Sequence, residues 1–248
     1  MATIVYVNRA AGVRHLRAEQ ALARAAGAAR RAPVLNRERP WRWELSGDRA
    51  ELHLARPGPA QNRAARARNL VDCGSALHHA LVALHGAGAR LSVDRLPDPA
   101  WPDVLASLCV DGFGPPTPAE IRAHRAIALR VTTVARPGPV ALPASALAAM
   151  GSAAAQAGAR LRLPDAGPDH PDGPAADRAL IEAEADSPLG WLRAGEALSA
   201  VALAAADHGL AVLPDPALLA DGRGHVAVPV ELAVADRRSA RRTGQRVS

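Results

Sequence analysis

Apolar residues recurring three and four apart mark residues 74–88 (GSALHHALVALHGAG) and 195–209 (GEALSAVALAAADHG) as helices. Leu77, Leu81 and Leu84 share one side of the first, and Leu198, Val201 and Ala205 one side of the second. A glycine closes each stretch and serves as a stop signal. An offset of 121 pairs Gly74 with Gly195, Ala76 with Ala197, Leu77 with Leu198, Ala83 with Ala204 and Gly88 with Gly209. This register predicts a chain duplicated around two related helices. The small residues Gly74, Ala76, Ala80 and Ala83, like their counterparts in the second stretch, leave room for a neighbouring helix and suit an internal interface.

The remaining pattern predicts strands and helices in alternation. Residues 3–7 (TIVYV) form a short strand and residues 16–31 an alanine-rich helix. Trp41, Trp43 and Leu45 alternate with polar residues as in a half-buried strand, Ser46-Gly47-Asp48 is a hairpin turn, and residues 50–54 return. Residues 55–68, with RPGP and several arginines, are a polar loop. A strand over 89–93 ends in the loop LPDPAWPD, and Pro115 and Pro118 break the chain before a helix over 120–130. A helix over 143–157 stops at Gly158, and residues 161–177 form a loop rich in Pro, Gly and Asp. Strands over 179–185, 211–213 and 225–234 complete the chain. The class is α+β, with halves at 1–114 and 115–234 and an arginine-rich tail at 235–248.

Composition sharpens this picture. Of the 248 residues 49% are hydrophobic, enough for a real core, yet only 2% are aromatic, so packing rests on close contacts between alanine-rich elements. All 30 basic residues are arginine, which reflects coding bias and weakens the case for any single one. The net charge of +6 favours anionic partners. Much of that excess sits in the tail DRRSARRTGQRVS, which lacks the interleaved aromatics of a nucleic-acid reader. Two cysteines make no disulfide framework, and no leader or membrane-spanning run is present, so a soluble cytoplasmic protein is expected.

Motifs exclude several chemistries. His78 and His85 share a helical face, but no carboxylate or thiol completes a ligand set at the adjacent three- or four-residue positions, and no metal is expected. Ser75 lies in no G-x-S-x-G elbow, and neither a G-x-G-x-x-G nor a Walker loop occurs. Cys73 stands at the expected helix start, where a helix dipole lowers a thiol pKa; a small buried residue is the plainer reading.

Several segments in order resemble one family: Ala32-Pro33, Pro40-Trp41-Arg42-Trp43, residues 72–77 (DCGSAL), residues 90–99 (RLSVDRLPDP) and residues 191–198 (WLRAGEAL). Together they resemble the Acg-type nitroreductase-family proteins of actinobacteria. The resemblance implies a nitroreductase-like fold duplicated into a single-chain pseudo-dimer, with FMN at the internal interface and electrons drawn from NAD(P)H. It assigns phosphate binding to Arg130, Thr133 and Arg136, although Val131, Val134 and Ala135 replace more polar residues there. The family's polar ring-binding run before the tryptophan becomes Val34-Leu35-Asn36-Arg37-Glu38-Arg39, which leaves Asn36 and Arg39 as substitutes beside Trp41 and Ser75. The flavin motifs are degenerate, and no catalytic residue is assigned.

This pattern implies a nitroreductase relative with an impaired or lost FMN site that binds or sequesters a flavin or another small anion, or a partner protein. The alternative is an active FMN-dependent NAD(P)H oxidoreductase with atypical contacts. An arginine-mediated nucleic-acid or regulatory protein is a lesser alternative, and the pseudo-dimer is expected as a monomer or a homodimer.

Overall fold

A computed structural model describes residues 3–6, 13–36, 38–55, 62–130, 140–163, 175–176, 178–217, 219–220 and 226–235. In chain order the first elements are β1 (Thr3–Tyr6), α1 (Val13–Ala29), β2 (Trp41–Ser46), β3 (Arg49–Leu54), α2 (Arg63–Gly86), β4 (Ala89–Arg95) and β5 (Val104–Phe113). Next come α3 (Pro118–Leu129), β6 (Val140–Ala141), α4 (Ala144–Gln156), β7 (Ala159–Arg162), β8 (Ala175–Ala176) and β9 (Arg178–Ala183). The last are α5 (Pro188–Asp207), β10 (Leu210–Pro214), β11 (Leu219–Ala220) and β12 (Val226–Val234). The mixture is compatible with the α+β class.

Two five-stranded sheets and a separate β6-β8 pair accompany the helices. The first has the order β1-β2-β3-β5-β4, with only β1 parallel to its neighbour, and the second β10-β12-β9-β7 with β11 against β12. Without the parallel β1 and the two-residue β11, each sheet is laid down as two strands, a long helix and two more strands, in matching spatial order. The hairpin of β2 and β3 follows the alternation expected for it: Trp41, Trp43 and Leu45 are buried, and Gly47 turns the chain with φ 62°.

The helices α2 and α5 form the centre. Both bury residues on all sides through their middles, as central helices do and surface helices do not. A Cβ built on Gly74 would run into the carbonyl oxygen of Leu192, and one on Gly195 into that of Val71, so the backbones themselves touch. The close approach expected from the small residues is present. Gly88 and Gly209 follow the two helices with φ 81° and 75°, a conformation that side chains rarely adopt.

Four local expectations need correction. The polar loop over 55–68 gives way at Asn62, whose side chain caps the backbone N–H of Ala65 at 2.8 Å and starts α2 at Arg63. Strand β5, between the LPDPAWPD loop and Pro115, was not predicted, although Leu108 and Val110 are buried in alternation. Residues 161–162 end β7, and Ala175–Ala176 pair with Val140–Ala141, so 161–177 is not loop throughout. Cys73 lies ten positions inside α2, not at its start; burial pushes its thiol up, and the helix dipole has no purchase on it. Among the described residues no helix is long and apolar enough to cross a membrane.

Candidate functional site

The turn after α1 builds the site. The N–H groups of Arg30, Arg31 and Ala32 bond back to Gly27, Ala28 and Ala29, tightening the helix end before Pro33 stops it. The exposed carbonyls are then met by cations from elsewhere in the chain. Arg39 donates to the Arg30 oxygen through Nε at 3.1 Å and Nη2 at 2.8 Å, and Arg130 donates to the Arg31 oxygen through Nη2. Guanidinium groups here satisfy orphan carbonyls and complement the negative end of the helix.

Helix α2 holds the next segment. Ser75 donates its hydroxyl to the Pro33 oxygen at 2.7 Å. Asp72 accepts the N–H of Leu35 at 2.6 Å, that of Asn36 at 3.2 Å and the Asn36 side-chain amide at 2.8 Å. Burial pushes the Asp72 carboxyl up to about 7, and the three hydrogen bonds only partly offset it. Cys73 reaches the Pro40 oxygen at 3.6 Å, so one stretch of α2 fastens both ends of the loop.

The result is a cleft of about 530 Å³ lined by Arg30, Arg31, Arg39 and Arg130, by residues 32–34, by the end of α3 and by Val212, Leu213 and Pro214 of β10. Among the described residues, four arginines and no carboxylate line it. Arg130 is the most committed of them: burial lowers its pKa to about 10, and its Nε is buried without a partner. Four arginines around one cleft are suited to an anionic oxygen. The size is that of a small-molecule site. The cradle suits a small ligand that carries a phosphate or another anionic group.

The residues singled out from the sequence divide into three groups. Arg39 and Arg130 come together in the cleft. Asn36 and Ser75 sit behind it with their polar groups engaged by Asp72 and Pro33, and Trp41 is fully buried in the core outside the lining. Thr133 and Arg136 lie outside the described residues. Arg30, Arg31 and the β10 residues had no signal in the sequence, since the first two look like any helix-face arginine. His78 and His79 meet Ser199 instead of a metal-ligand set; among the described residues the grouping with ligand-like spacing is Glu44, Glu51 and His53, on β2 and β3.

No protein-family model matches the chain. A protein of Mycobacterium tuberculosis (strain ATCC 25618 / H37Rv), provisionally named NAD(P)H nitroreductase, is 32% identical over 133 residues, covering 53% of this chain and 38% of that protein. Another from the same strain, provisionally named NAD(P)H nitroreductase Acg, is 36% identical over 80 residues, or 32% of this chain and 24% of the relative. An uncharacterized protein of that strain is 32% identical over 84 residues, again 32% and 24% of the two chains. The chain thus matches well under half the length of each of these relatives, and over 53% of its own length it is similar to a protein provisionally named a nitroreductase.

Proposed function

We propose that this chain is a nitroreductase-family protein of the Acg type, a single-chain pseudo-dimer with halves at 1–114 and 115–234, whose arginine cleft binds FMN without efficient turnover. The observation that carries this reading is the meeting of Arg39 and Arg130 in one cleft, since the resemblance picked them from separate segments. The matching strand order of the two sheets and the reciprocal contacts of Gly74 and Gly195 support the duplication. When bound, FMN supplies two-electron transfer from a nicotinamide. Arg39 and Arg130 hold its phosphate in this reading.

The case for binding over catalysis rests on Asn36 and Ser75. Their polar groups fasten the loop to α2 and are not free for the edges of a ring. A cytoplasmic flavin-sequestering protein, or one that presents the flavin or another small anion to a partner, follows from a phosphate cradle with few ring contacts. The relatives' names favour a second reading, an active NAD(P)H oxidoreductase with atypical flavin contacts.

Quenching of FMN fluorescence on titration with the protein tests the first step, with micromolar binding expected. Stopped-flow reduction by NADH and NADPH then separates the two readings. Bound flavin that stays oxidised supports sequestration, and rapid bleaching supports the enzyme. A protein that leaves FMN fluorescence unchanged removes both.

A further inference from the structure

Ser199 of α5 lies between two histidines of α2. Its Oγ is 2.7 Å from Nδ1 of His78 and 2.5 Å from Nδ1 of His79. Ser199 is fully buried and, among the described residues, these two rings are the partners of its hydroxyl, so its proton goes to one imidazole while its lone pair takes the N–H of the other. The burial of His79 decides which. Its Nε2 is buried with no partner, and a bare nitrogen is better tolerated there than an orphaned N–H. His79 therefore carries its proton on Nδ1 and donates to Ser199, and Ser199 donates to His78. With Nδ1 occupied as an acceptor, His78 carries its own proton on Nε2. Burial holds the His78 pKa down at about 4, aided by His85 and Arg95, so the ring is neutral.

His78 forms part of the wall of a cavity of about 610 Å³ between α2, α3, α4 and α5, which shares no lining residue with the arginine cleft. Arg95, the cation acting on His78, is already matched: its Nε and Nη2 each donate to Glu196 at 2.7 Å. Leu81, Val82, Ala126, Ala200 and Leu203 supply apolar wall. Glu120, Arg122 and Asp207 also line the cavity, so its charges are of both signs.

We infer that this cavity binds a small uncharged molecule with an apolar body and one acceptor oxygen, of the ketone class, which takes the Nε2–H of His78 and rests on Leu81, Val82 and Leu203. A neutral donor fixed by a hydrogen-bonded chain selects for an acceptor, while the matched ion pair gives an anion little advantage. The inference stands apart from the flavin reading and does not depend on it.

The test compares 1-indanone with indane, the same ring system without the oxygen, by calorimetric titration of the full chain. Long-range proton–nitrogen spectra of the histidines read the tautomers alongside. The expected spectrum shows His79 protonated on Nδ1 and His78 on Nε2, with 1-indanone shifting the His78 Nε2 signal and indane leaving it in place. The ketone is expected to bind about tenfold more tightly, the worth of about one hydrogen bond. Ser199→Ala should erase that preference while leaving indane binding within about twofold, and Leu203→Trp should abolish both by filling the space. Equal affinity for the two probes, a proton on Nδ1 of His78, or ketone binding that survives Leu203→Trp overturns the inference. The wild-type comparison decides the question even where a variant fails to fold.

Discussion

Gly74 lies against the carbonyl of Leu192, and Gly195 lies against the carbonyl of Val71, so the two longest helices among the described residues meet backbone to backbone. The contacts are reciprocal, since residues 71 and 192 are separated by the same 121 positions as 74 and 195. No side chain intervenes at either point. The helix pair therefore depends on two absent methyl groups.

Gly74→Ala and Gly195→Ala should each cost about 3 kcal/mol or more, because the new carbon meets main chain and not a movable side-chain tip. Urea unfolding measures this. Gly27→Ala and Gly151→Ala are the controls: both sit in helices with open space around the missing Cβ, and both should gain about 0.5–1 kcal/mol. A cost below about 0.5 kcal/mol at Gly74 would show that the helices can move apart.

Asp72 should leave a mark on the pH dependence of stability. Its folded pKa of about 7 stands above the ordinary 3.8, so the native state holds this proton more tightly than the unfolded chain does. The stability it contributes is complete below about pH 4 and is lost as the pH rises through about 7, with a slope of at most ~1.4 kcal/mol per pH unit. Asp72→Asn should flatten that slope. If the wild-type and variant curves run parallel between pH 4 and 7, the carboxyl is not titrating in this window.

Arg130→Met should separate binding from folding. The substitution removes a buried cation that lacks a full set of partners, so stability should change by less than about 1 kcal/mol. FMN affinity should fall at least about tenfold, the worth of one charge-assisted hydrogen bond. Unchanged FMN binding in a well-folded variant would move the phosphate away from this residue.

Arg95 and Glu196 form a two-pronged pair with the carboxylate side chain only 5% exposed. The pair holds the guanidinium above its ordinary pKa range. Arg95→Met alone should cost roughly 3–5 kcal/mol by leaving Glu196 buried without its cation. Adding Glu196→Gln should recover most of that loss. A thermodynamic cycle over the two positions reads the coupling directly, and additive losses would mean that the pair is not coupled.

Local pattern was legible where burial is local. Trp41, Trp43 and Leu45 alternate as their strand requires, and the register of Gly74 with Gly195 pointed to a helix contact that is present. The start of α2 was hidden because its arginines continue the composition of the residues before it, and only Asn62 marks the boundary. In β5 the alternation of Leu108 and Val110 was available as a signal, but small and polar residues between them weaken it. The site was harder to read. Arg39 and Arg130 were accessible through the resemblance, whereas Arg30, Arg31 and Val212 join them only through tertiary packing. The demand that Asp72 places on Asn36 spans 36 residues and has no local trace.

The hydrogen bond between Ser199 and His78 joins positions that are also 121 apart. Two identical subunits meeting on a symmetry axis must present the same residue from both sides, serine to serine or histidine to histidine. A single chain is free of that constraint and can place a donor opposite an acceptor. Tethering also makes the encounter of α2 with α5 independent of protein concentration, so neither helix can be exchanged for one from another molecule by dilution and remixing. What a dimer must settle by mass action, this chain has written into its covalent connectivity, along with a polarity that symmetry forbids.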